Sequence, residues 1–578
     1  MFCLNVPETF YAMYGLNDFG MVTEWFNPLA TSVSLLREHI KKNNVKTLVI
    51  IDMMYPVVKE AIKDTSVEHI IVTSVLDSFP TGKKLLYKCQ VFGFNRLIQS
   101  TPYKYLINKI KGIAPDERDI SPLHSTTSRA HQKLNAFQKF VSKIDAYVQK
   151  EKIYAKASFY CDSPKDARFI AWKDFVNKYG ETSTTRRVPY QEGKTTIIVH
   201  TGGTTGPAKP ITHSDYAINS AVYQTSIMPL GIAHLDTFCQ LVPPIVAYSL
   251  ENMHFTRFMQ MNTFLIATYN RNEFPKIVLK TRANHYNVVP SFAKALISSE
   301  KVAHQDLSFV KSCQYGGEGI SPEDDAAIDK LLNGRGRHGF GQNEEFGVFT
   351  GNYDVPGVEK VYGCCGFPMY GNGYIVIDRE TGEELPYGRD SHGNYYIGDL
   401  CVCGPTIMKG YIREAASENS ITIIFRNGIK YIKTGDQAYI DEEGRLWYWT
   451  REQRIIRTQQ GKIFTNIIET ILNDIPEIIE CCVVKCPHPY NVAEAACHIV
   501  LKPECWQNGV DAIIECIVQT VERATQEMYS YYVPGTYEFR KERLPTTSFG
   551  KVDFRKLEQE NKALYRANSE FIGEENQN

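Results

Sequence analysis

Short apolar runs rich in β-branched residues alternate with helical patterns near the start of the chain. KTLVIID (46–52) and EHIIVTS (68–74) are such runs, and the helical patterns SVSLLREHIKKN and YPVVKEAIKD accompany them. Parallel strands need a crossover connection, and that connection is usually a helix. The sequence therefore predicts an α/β fold built on parallel or mixed sheets.

Later parts of the chain differ in pattern. We expect residues 83–190 to be helical and charged. Strand-like runs separated by glycine-containing turns fill residues 360–450 and predict antiparallel sheet or a small barrel. Strands and helices mix from about residue 451, over a length that suits a separate domain. The expected organisation is a large α/β domain over residues 1–450 with a β-rich segment near its end, and a small mobile α+β domain over residues 451–578.

Composition and charge narrow the expected partners. The net charge is −1, which gives no reason to expect a nucleic-acid partner. No apolar run reaches the roughly 18 residues of a membrane-spanning helix, and the N-terminus lacks the pattern of a signal peptide. The chain has 15 cysteines without paired zinc-type spacing, which favours a reducing, cytoplasmic location. A small-molecule partner is the natural expectation.

A glycine- and threonine-rich loop follows a strand-like run. TTIIVH (195–200) predicts a buried strand that leads into HTGGTTGPAKP (200–210), and SDYAINSAVYQTSIM then predicts a helix. Ser214 alone, or a capping box of Thr212 and Asp215, would begin this helix. Glycines let backbone N–H groups approach phosphate oxygens, but Lys209 precedes proline rather than Ser or Thr, so this is no Walker A loop. Taken alone, the loop is either a structural turn or a phosphate site.

Five ordered motifs decide between these interpretations. HTGGTTGPAKP resembles the phosphate loop T-S-G-T-T-G-x-P-K-G of the adenylate-forming (AMP-binding) superfamily. GFGQNEE (339–345) resembles its G-Y-G-x-T-E motif, and IKTGDQAYIDEEGRL (432–446) resembles its T-G-D motif with the acidic turn. TREQRIIRTQQGKIFTNIIE (450–469) resembles its hinge G-R-x-D-D-x-I-K, and LPTTSFGKVDFRKL (544–557) resembles its terminal L-P-x-T-x-x-G-K. Within the superfamily the chain is most similar to acyl-CoA synthetases.

The resemblance implies an ATP- and Mg²⁺-dependent enzyme of fatty acid or related metabolism. Such enzymes first join a carboxylic acid to AMP with release of pyrophosphate, and then transfer the acyl group to a thiol, usually that of coenzyme A. Two alternatives stay open. The chain could load an acyl or amino acid onto a carrier protein, or it could be a degenerate homologue that binds nucleotide without catalysis.

The resemblance also implies roles for individual residues. The residues expected to hold the β- and γ-phosphates are Thr201, Gly203, Thr204, Thr205, Gly206 and Lys209. The residues expected near the adenine and the α-phosphate are Gly317, Glu318, Phe340, Gly341 and Asn343. Asp436 would accept hydrogen bonds from both ribose hydroxyls, with support from Arg451. Glu344 would hold Mg²⁺, and Lys551 would bridge the attacking carboxylate and the α-phosphate.

Several positions depart from the family pattern. Gly202 stands where a hydroxyl-bearing residue is usual, and Pro210 supplies no backbone N–H at the loop exit. Gln453 replaces the hinge aspartate, which bears on the rate of domain alternation. Close to the start of the chain, NVPETFYAMYG (5–15) resembles a family segment that normally lies tens of residues in. We therefore expect either a truncated N-terminus or a fold that lacks its usual first elements.

Two segments are expected to form the acyl-binding region. In PPIVAYSLEN (243–252), Val246 or Ala247 falls where relatives often carry a histidine or an aromatic gate. NVVPSFAKAL (287–296) would supply more of the wall. Small apolar residues here are compatible with a longer aliphatic or an aromatic acid.

Overall fold

The computed structural model describes residues 1–28, 32–75, 77–78, 166–180, 187–201, 209–267, 270–412, 423–458, 460–487, 493–507, 510–528, 530–546, 552–561 and 565–566. Most of the predicted helical region over 83–190, loop residues 202–208 and Lys551 lie outside this part. The chain forms two compact units. One comprises Met1–Pro189 with Leu265–Ala267, and the other comprises Tyr190–Phe264 with Thr268–Asn578.

The first unit contains a three-stranded parallel sheet. The strands of this unit are β1 (Thr23–Glu24), β2 (Thr47–Ile51), β3 (His69–Thr73) and β4 (Phe169–Ala171). Its helices are α1 (Pro7–Asp18), α2 (Val33–Lys42), α3 (Tyr55–Ala61) and α4 (Trp172–Tyr179). The sheet order is β2-β3-β4, with both pairs parallel. The β2–α3–β3 crossover confirms the predicted βαβ unit.

Strand β4 corrects the prediction that residues 83–190 are uniformly helical. Phe169 pairs with Ile70, so this short stretch extends the sheet before α4 begins at Trp172. The pairing is with a strand about 100 residues earlier in the chain, and such tertiary contacts override the local helical pattern. The apolar side chains of β2, β3 and α3 form the core of the unit, and Phe169 packs against Tyr55.

The second unit begins with two antiparallel strands that flank the glycine-rich loop. β5 (Thr195–His200) pairs with β6 (Pro210–Ser214), and α5 (Asp215–Ser226) follows directly. The side chain of Ser214 accepts a hydrogen bond from the N–H of Ala217, so Ser214 is the N-cap of α5. The predicted strand and helix are confirmed. However, strand β6 lies between the loop and the helix. The loop therefore connects two strands, and α5 begins only after β6.

The second unit also contains a five-stranded sheet. Its strands are β7 (Thr237–Gln240), β8 (Asn262–Leu265), β9 (His285–Val288), β10 (Ser312–Gly316) and β11 (Gly336–Gly339), in the order β11-β10-β9-β7-β8. The helices that alternate with them are α6 (Ala247–Phe258), α7 (Phe274–Thr281), α8 (Pro290–Ile297) and α9 (Pro322–Leu331). Parallel pairing joins β7, β9, β10 and β11, so the carboxyl ends of these strands share one sheet edge.

The predicted β-rich segment is an antiparallel sheet. The strands from this part of the chain are β12 (Thr350–Gly351), β13 (Phe367–Pro368), β14 (Gly373–Ile377), β15 (Gly398–Cys403), β16 (Gly410–Tyr411), β17 (Ile423–Arg426), β18 (Ile429–Ile440) and β19 (Leu446–Arg451). The sheet has the order β14-β15-β18-β17, and β19 also pairs with β18. Outside it, β12 pairs with β13, and β16 pairs with β6.

The last part of the chain mixes strands and helices as predicted. Its strands are β20 (Ile455–Arg457), β21 (Lys462–Phe464), β22 (Ile478–Pro487), β23 (Ala493–Leu501), β24 (Thr536–Arg540) and β25 (Tyr565–Arg566), and its helices are α10 (Thr465–Asn473), α11 (Val510–Met528) and α12 (Phe554–Glu560). A four-stranded sheet of order β22-β23-β24-β25 packs against α10 and α11 around a core that includes Ile468, Val483 and Val521. The boundary at residue 450 stays a prediction. Among the helices described, none is long and apolar enough to cross a membrane.

Candidate active site

The two ends of the glycine-rich loop are held together at Thr201 and Lys209. The N–H of Thr201 donates to the carbonyl of Lys209 at 3.0 Å, and the N–H of Lys209 donates to the hydroxyl of Thr201 at 2.9 Å. Thr201 therefore closes the loop, a use of its hydroxyl that the sequence did not suggest. The predicted phosphate-binding residues Gly203, Thr204, Thr205 and Gly206 lie outside the described part of the chain.

Lys209 and Glu344 meet through a third residue, Tyr411. The ammonium nitrogen of Lys209 lies 5.6 Å from the centroid of the Tyr411 ring. The Tyr411 hydroxyl donates to Oε1 of Glu344 at 2.9 Å. Two residues expected to act on the phosphates and the metal are thus brought together, although 135 positions in the sequence separate them.

A tight turn presents Glu344. Residues Asn343–Glu345 form one turn of 3-10 helix, and the carboxylate of Glu345 accepts from the N–H of Gln342 at 2.7 Å. Burial raises the pKa of Glu344, and it raises that of Glu345 well above its ordinary value, with the neighbouring Glu344 charge adding to the effect. Gly341 allows the turn to close, because a Cβ there would lie 1.9 Å from the carbonyl oxygen of Gly347.

Asn343 is fixed by contacts with three other elements. Its side-chain N–H donates to the carbonyl of His200 at 2.8 Å, and its side-chain oxygen accepts from the N–H of Ala247 at 2.9 Å. Nε2 of His213 lies 2.7 Å from the Asn343 carbonyl, so this nitrogen carries the proton and donates. Burial lowers the pKa of His213 to about 4, which keeps its ring neutral. The role of Asn343 at the α-phosphate stays a prediction, with one of its two side-chain N–H groups already used.

Asp436 and Arg451 face each other across two paired strands. Register places Asp436 of β18 opposite Arg451 of β19, and Nε of Arg451 lies 2.9 Å from Oδ1 of Asp436. The side chain of Asp436 is 1% exposed and that of Arg451 is 46% exposed. The Asp436 charge raises the pKa of the Arg451 guanidinium. The side-chain amide of Gln342 donates to the other oxygen of Asp436. Both carboxylate oxygens are therefore oriented by protein donors.

The residues predicted around the adenine follow the carboxyl ends of two neighbouring strands. Gly316 at the end of β10 pairs with Gly339 at the end of β11, so Gly317 and Phe340 follow adjacent parallel strands. Ligands of open α/β sheets bind at this edge. Gly317 has a positive φ of 84°, and Oε2 of Glu318 accepts from the N–H of Ser291 at 3.0 Å. The ring of Phe340 is largely buried, and its adenine-stacking role stays a prediction.

The predicted acyl-binding positions lie near the start of α6 and along α8. Val246 is half-buried and is the N-cap of α6, whereas Ala247 is buried and bound through its N–H to Asn343. The hydroxyl of Tyr248 is 3.5 Å from the carbonyl of Gln314 on β10. The predicted gate position Ala247 is thus adjacent to the turn that carries Glu344, and its role in acyl binding stays a prediction.

The segments that flank Lys551 and Gln453 are well anchored. Thr546 and Val552, which lie on either side of Lys551 in the sequence, form an antiparallel bridge. Next to Gln453, the guanidinium of Arg454 contacts Glu469, lies 3.3 Å from Sγ of Cys482, and stacks 5.2 Å from the Phe554 ring. Glu469, Cys482 and Phe554 belong to α10, β22 and α12.

Sequence reasoning missed three residues of this site. Gln342 and Tyr411 lie within motif-like segments, GFGQNEE and LCVCGPTIMKGY, so their positions carried a signal. Glu251 lies in the segment PPIVAYSLEN, where only Val246 and Ala247 were singled out. It lies on α6, is fully buried, accepts from the Thr225 hydroxyl and accepts from the N–H of Val348 at 3.0 Å. Glu251 therefore holds the chain just after the Glu344 turn.

Comparison with known proteins agrees with this geometry. The profile of the AMP-binding enzyme family matches residues 1–412, and the profile of the AMP-binding enzyme C-terminal domain matches residues 467–551. A long-chain-fatty-acid–CoA ligase of Bacillus subtilis is 24% identical over 560 residues, covering 96% of this chain and 84% of that protein. A probable 4-coumarate–CoA ligase of Dictyostelium discoideum is 25% identical over 325 residues, covering 55% of this chain and 56% of that protein.

Solved structures show the same fold. An anthranilate CoA ligase in complex with anthranoyl-AMP superposes with a TM-score of 0.66 at 17% identity, covering 97% of this chain and 86% of that one. An amide bond synthetase from Marinactinospora thermotolerans superposes with a TM-score of 0.65 at 16% identity, covering 97% and 88%. Because one family profile spans most of the chain and a second matches its last part, the chain belongs to the AMP-binding family of adenylate-forming, acyl-CoA-synthetase-like enzymes.

Proposed function

We propose that this chain activates a carboxylic acid with ATP, giving an acyl-adenylate and pyrophosphate, and then transfers the acyl group to the thiol of coenzyme A. The observation that carries the proposal is one continuous contact network. It runs from Asp436 to Gln342, through the turn to Glu344, and through Tyr411 to Lys209. The network brings the expected ribose, metal and phosphate contacts of one nucleotide close together.

The surroundings of Glu344 suit a divalent cation. Its carboxylate is buried, and its hydrogen-bond partner is the neutral Tyr411 hydroxyl. Burial raises the pKa of this carboxyl group although the Arg451 charge opposes the shift, and a hard oxygen ligand of this kind suits Mg²⁺. Glu344 would hold the ion, which when bound neutralises charge on the phosphate oxygens.

Asp436 is arranged to bind a ribose. The Gln342 amide donates to one oxygen of this carboxylate, and the Arg451 guanidinium pairs with the other. A carboxylate presents two acceptor oxygens side by side, which is the arrangement that two adjacent ribose hydroxyls require. Because the protein donors fix the plane of the carboxylate before binding, little orientation entropy would be lost on binding.

Lys551 would act on the developing charge. In the proposed reaction a carboxylate oxygen attacks the α-phosphorus and pyrophosphate leaves. An ammonium group placed between the two reacting anions lowers their repulsion and stabilises the charge of the transition state. The thiol then attacks the acyl carbon, the thiol proton is lost to solvent or a base, and AMP departs.

The proposed substrate is a fatty or an aromatic carboxylic acid. The relatives named above suggest a fatty or aromatic acid, and the small side chains Val246 and Ala247 are compatible with either. Coenzyme A is the proposed acceptor, with a carrier-protein thiol as the alternative. The cysteines among the described residues are free thiols, which supports a cytoplasmic location.

Carboxylate-dependent exchange of labelled pyrophosphate into ATP tests the proposal, with fatty, aromatic and amino acids assayed in parallel. We expect exchange with at least one acid and its loss in Asp436→Asn. Asp399→Asn is the matched control, because Asp399 lies on the neighbouring strand β15 and pairs with Lys433 at 3.4 Å. It should exchange like the unchanged protein.

Two outcomes would contradict the proposal. Binding of Mg²⁺ and ATP without exchange on any acid would favour a degenerate, non-catalytic homologue. Exchange followed by transfer to a phosphopantetheinyl carrier protein, but not to coenzyme A, would support the carrier-loading alternative and refute the proposed acceptor.

A further inference from the structure

A short segment of the chain, residues 408–412, connects the end of the glycine-rich loop to the turn that carries Glu344. The N–H of Met408 donates to the carbonyl of Glu344 at 2.7 Å. The N–H of Ile412 donates to the carbonyl of Pro210 at 3.0 Å, directly after Lys209. Strand β16 within this segment pairs with β6, with Tyr411 opposite Ile211. The backbone of residues 408–412 therefore connects the chain next to Lys209, where the nucleotide phosphates are expected, to Glu344, where their cation is expected.

The side chain of Tyr411 makes the same bridge a second time. Its hydroxyl donates to Oε1 of Glu344 at 2.9 Å, and its ring lies 5.6 Å from the ammonium nitrogen of Lys209. The hydroxyl occupies one oxygen of the carboxylate and so favours cation binding through the other. The face of the ring attracts the ammonium group electrostatically and limits where it can lie.

We propose that Tyr411 is a positioning residue that couples Glu344 to Lys209, so that Mg²⁺ and the ATP phosphates bind as one unit. The inference rests on the proposed function, because it assigns the cation to Glu344 and the phosphates to Lys209. Coupling is reciprocal: if Tyr411 aligns the two side chains, bound Mg²⁺ raises the affinity for ATP, and bound ATP raises the affinity for Mg²⁺ by the same factor.

Tyr411→Phe distinguishes the contribution of the hydroxyl from that of the ring. Phenylalanine keeps the ring face beneath Lys209 and removes only the hydrogen bond to Glu344. We expect the affinity for ATP in the presence of Mg²⁺, measured by calorimetry, to fall at least about tenfold, the size expected for a hydrogen bond to a charged group. The affinity for ATP in excess EDTA should change less than about twofold. Tyr411→Leu should weaken both.

Tyr374→Phe is the matched control. The Tyr374 hydroxyl also makes a partly buried hydrogen bond, to the carbonyl of Gly444 at 2.6 Å, but Tyr374 lies on strand β14. Its loss should leave both affinities unchanged. A double-mutant cycle adds a test that a purely structural role would fail. In Glu344→Gln, which removes the carboxylate charge, adding Tyr411→Phe should cause little further loss of Mg²⁺-dependent affinity.

Each outcome is decisive. A Tyr411→Phe protein that binds Mg²⁺–ATP as tightly as the unchanged protein would overturn the coupling role, as would equal losses with and without Mg²⁺. Additive effects of Tyr411→Phe and Glu344→Gln would overturn it as well. An unchanged protein that shows no Mg²⁺ effect on ATP affinity would instead refute the proposed role of Glu344, and the coupling with it.

Discussion

Replacing Glu251 with glutamine should stabilise the fold at alkaline pH and have little effect at acidic pH. Glu251 is 1% exposed, and burial raises its pKa from 4.5 to about 7, against the opposing effect of hydrogen bonds from Thr225 and Val348. Glutamine preserves both contacts. Its oxygen can accept from the N–H of Val348, and its amide can donate to the Thr225 hydroxyl.

The sign and size follow from proton linkage. A carboxyl group whose pKa is raised by folding binds more protons in the folded than in the unfolded state, so stability falls as pH rises from about 4.5 to about 7. At about 1.4 kcal/mol per pKa unit, the full loss is about 3 kcal/mol once Glu251 is ionised in both states. Glu251→Gln removes this loss. The variant should match the unchanged protein near pH 4 and exceed its stability by up to about 3 kcal/mol at pH 8.5.

Urea unfolding at several pH values measures the difference. Glu273→Gln is the control, because the side chain of Glu273 is 51% exposed and should give a difference close to zero throughout. A stability gain for Glu251→Gln that does not vary with pH would contradict the assignment of the effect to ionisation. A loss of stability at pH 8.5 would show that the charged carboxylate is the better partner for Thr225 and Val348.

Three further predictions concern other parts of the chain. Lys551→Ala should abolish acyl-adenylate formation, while a supplied acyl-adenylate still reacts with the thiol; normal adenylation by this variant would refute the role of Lys551. Arg454→Met should lower the free energy of unfolding by about 2–3 kcal/mol, because the Glu469 carboxylate loses its charged partner. Adding Glu469→Gln should recover part of that loss, and urea unfolding measures both changes. Gly341→Ala should cost about 1–3 kcal/mol or more and weaken ATP binding, since the new methyl group would overlap the Gly347 carbonyl; unchanged melting and affinity would contradict the observed turn.

The parts of the fold that depend on local pattern could be predicted from sequence. Strands β2 and β3 followed from their apolar runs, and the antiparallel sheet followed from its regularly spaced glycine turns. The family resemblance also predicted that Asp436 and Arg451 act on the same ribose. The structure places them on paired strands because the DEEG turn between β18 and β19 sets the register.

Contacts between distant segments could not be predicted in the same way. Tyr411 meets Glu344 across 67 positions, and Gln342 meets Asp436 across 94. Nothing in the local pattern of either segment specifies its partner. Strand β6 was also missed, because Pro210 argues against a strand until its pairing at the first position of the strand is known.

Transfer of an oxygen atom from the carboxylate to AMP is the signature of an acyl-adenylate intermediate. The acid, labelled with ¹⁸O at both carboxylate oxygens, is incubated with the protein, ATP, Mg²⁺ and coenzyme A, and the nucleotide is analysed by mass spectrometry. If the carboxylate attacks the α-phosphorus, the thiol later breaks the acyl C–O bond, so AMP carries one ¹⁸O per turnover. Unlabelled AMP, or ¹⁸O in inorganic phosphate with ADP as the nucleotide product, would contradict an acyl-adenylate intermediate.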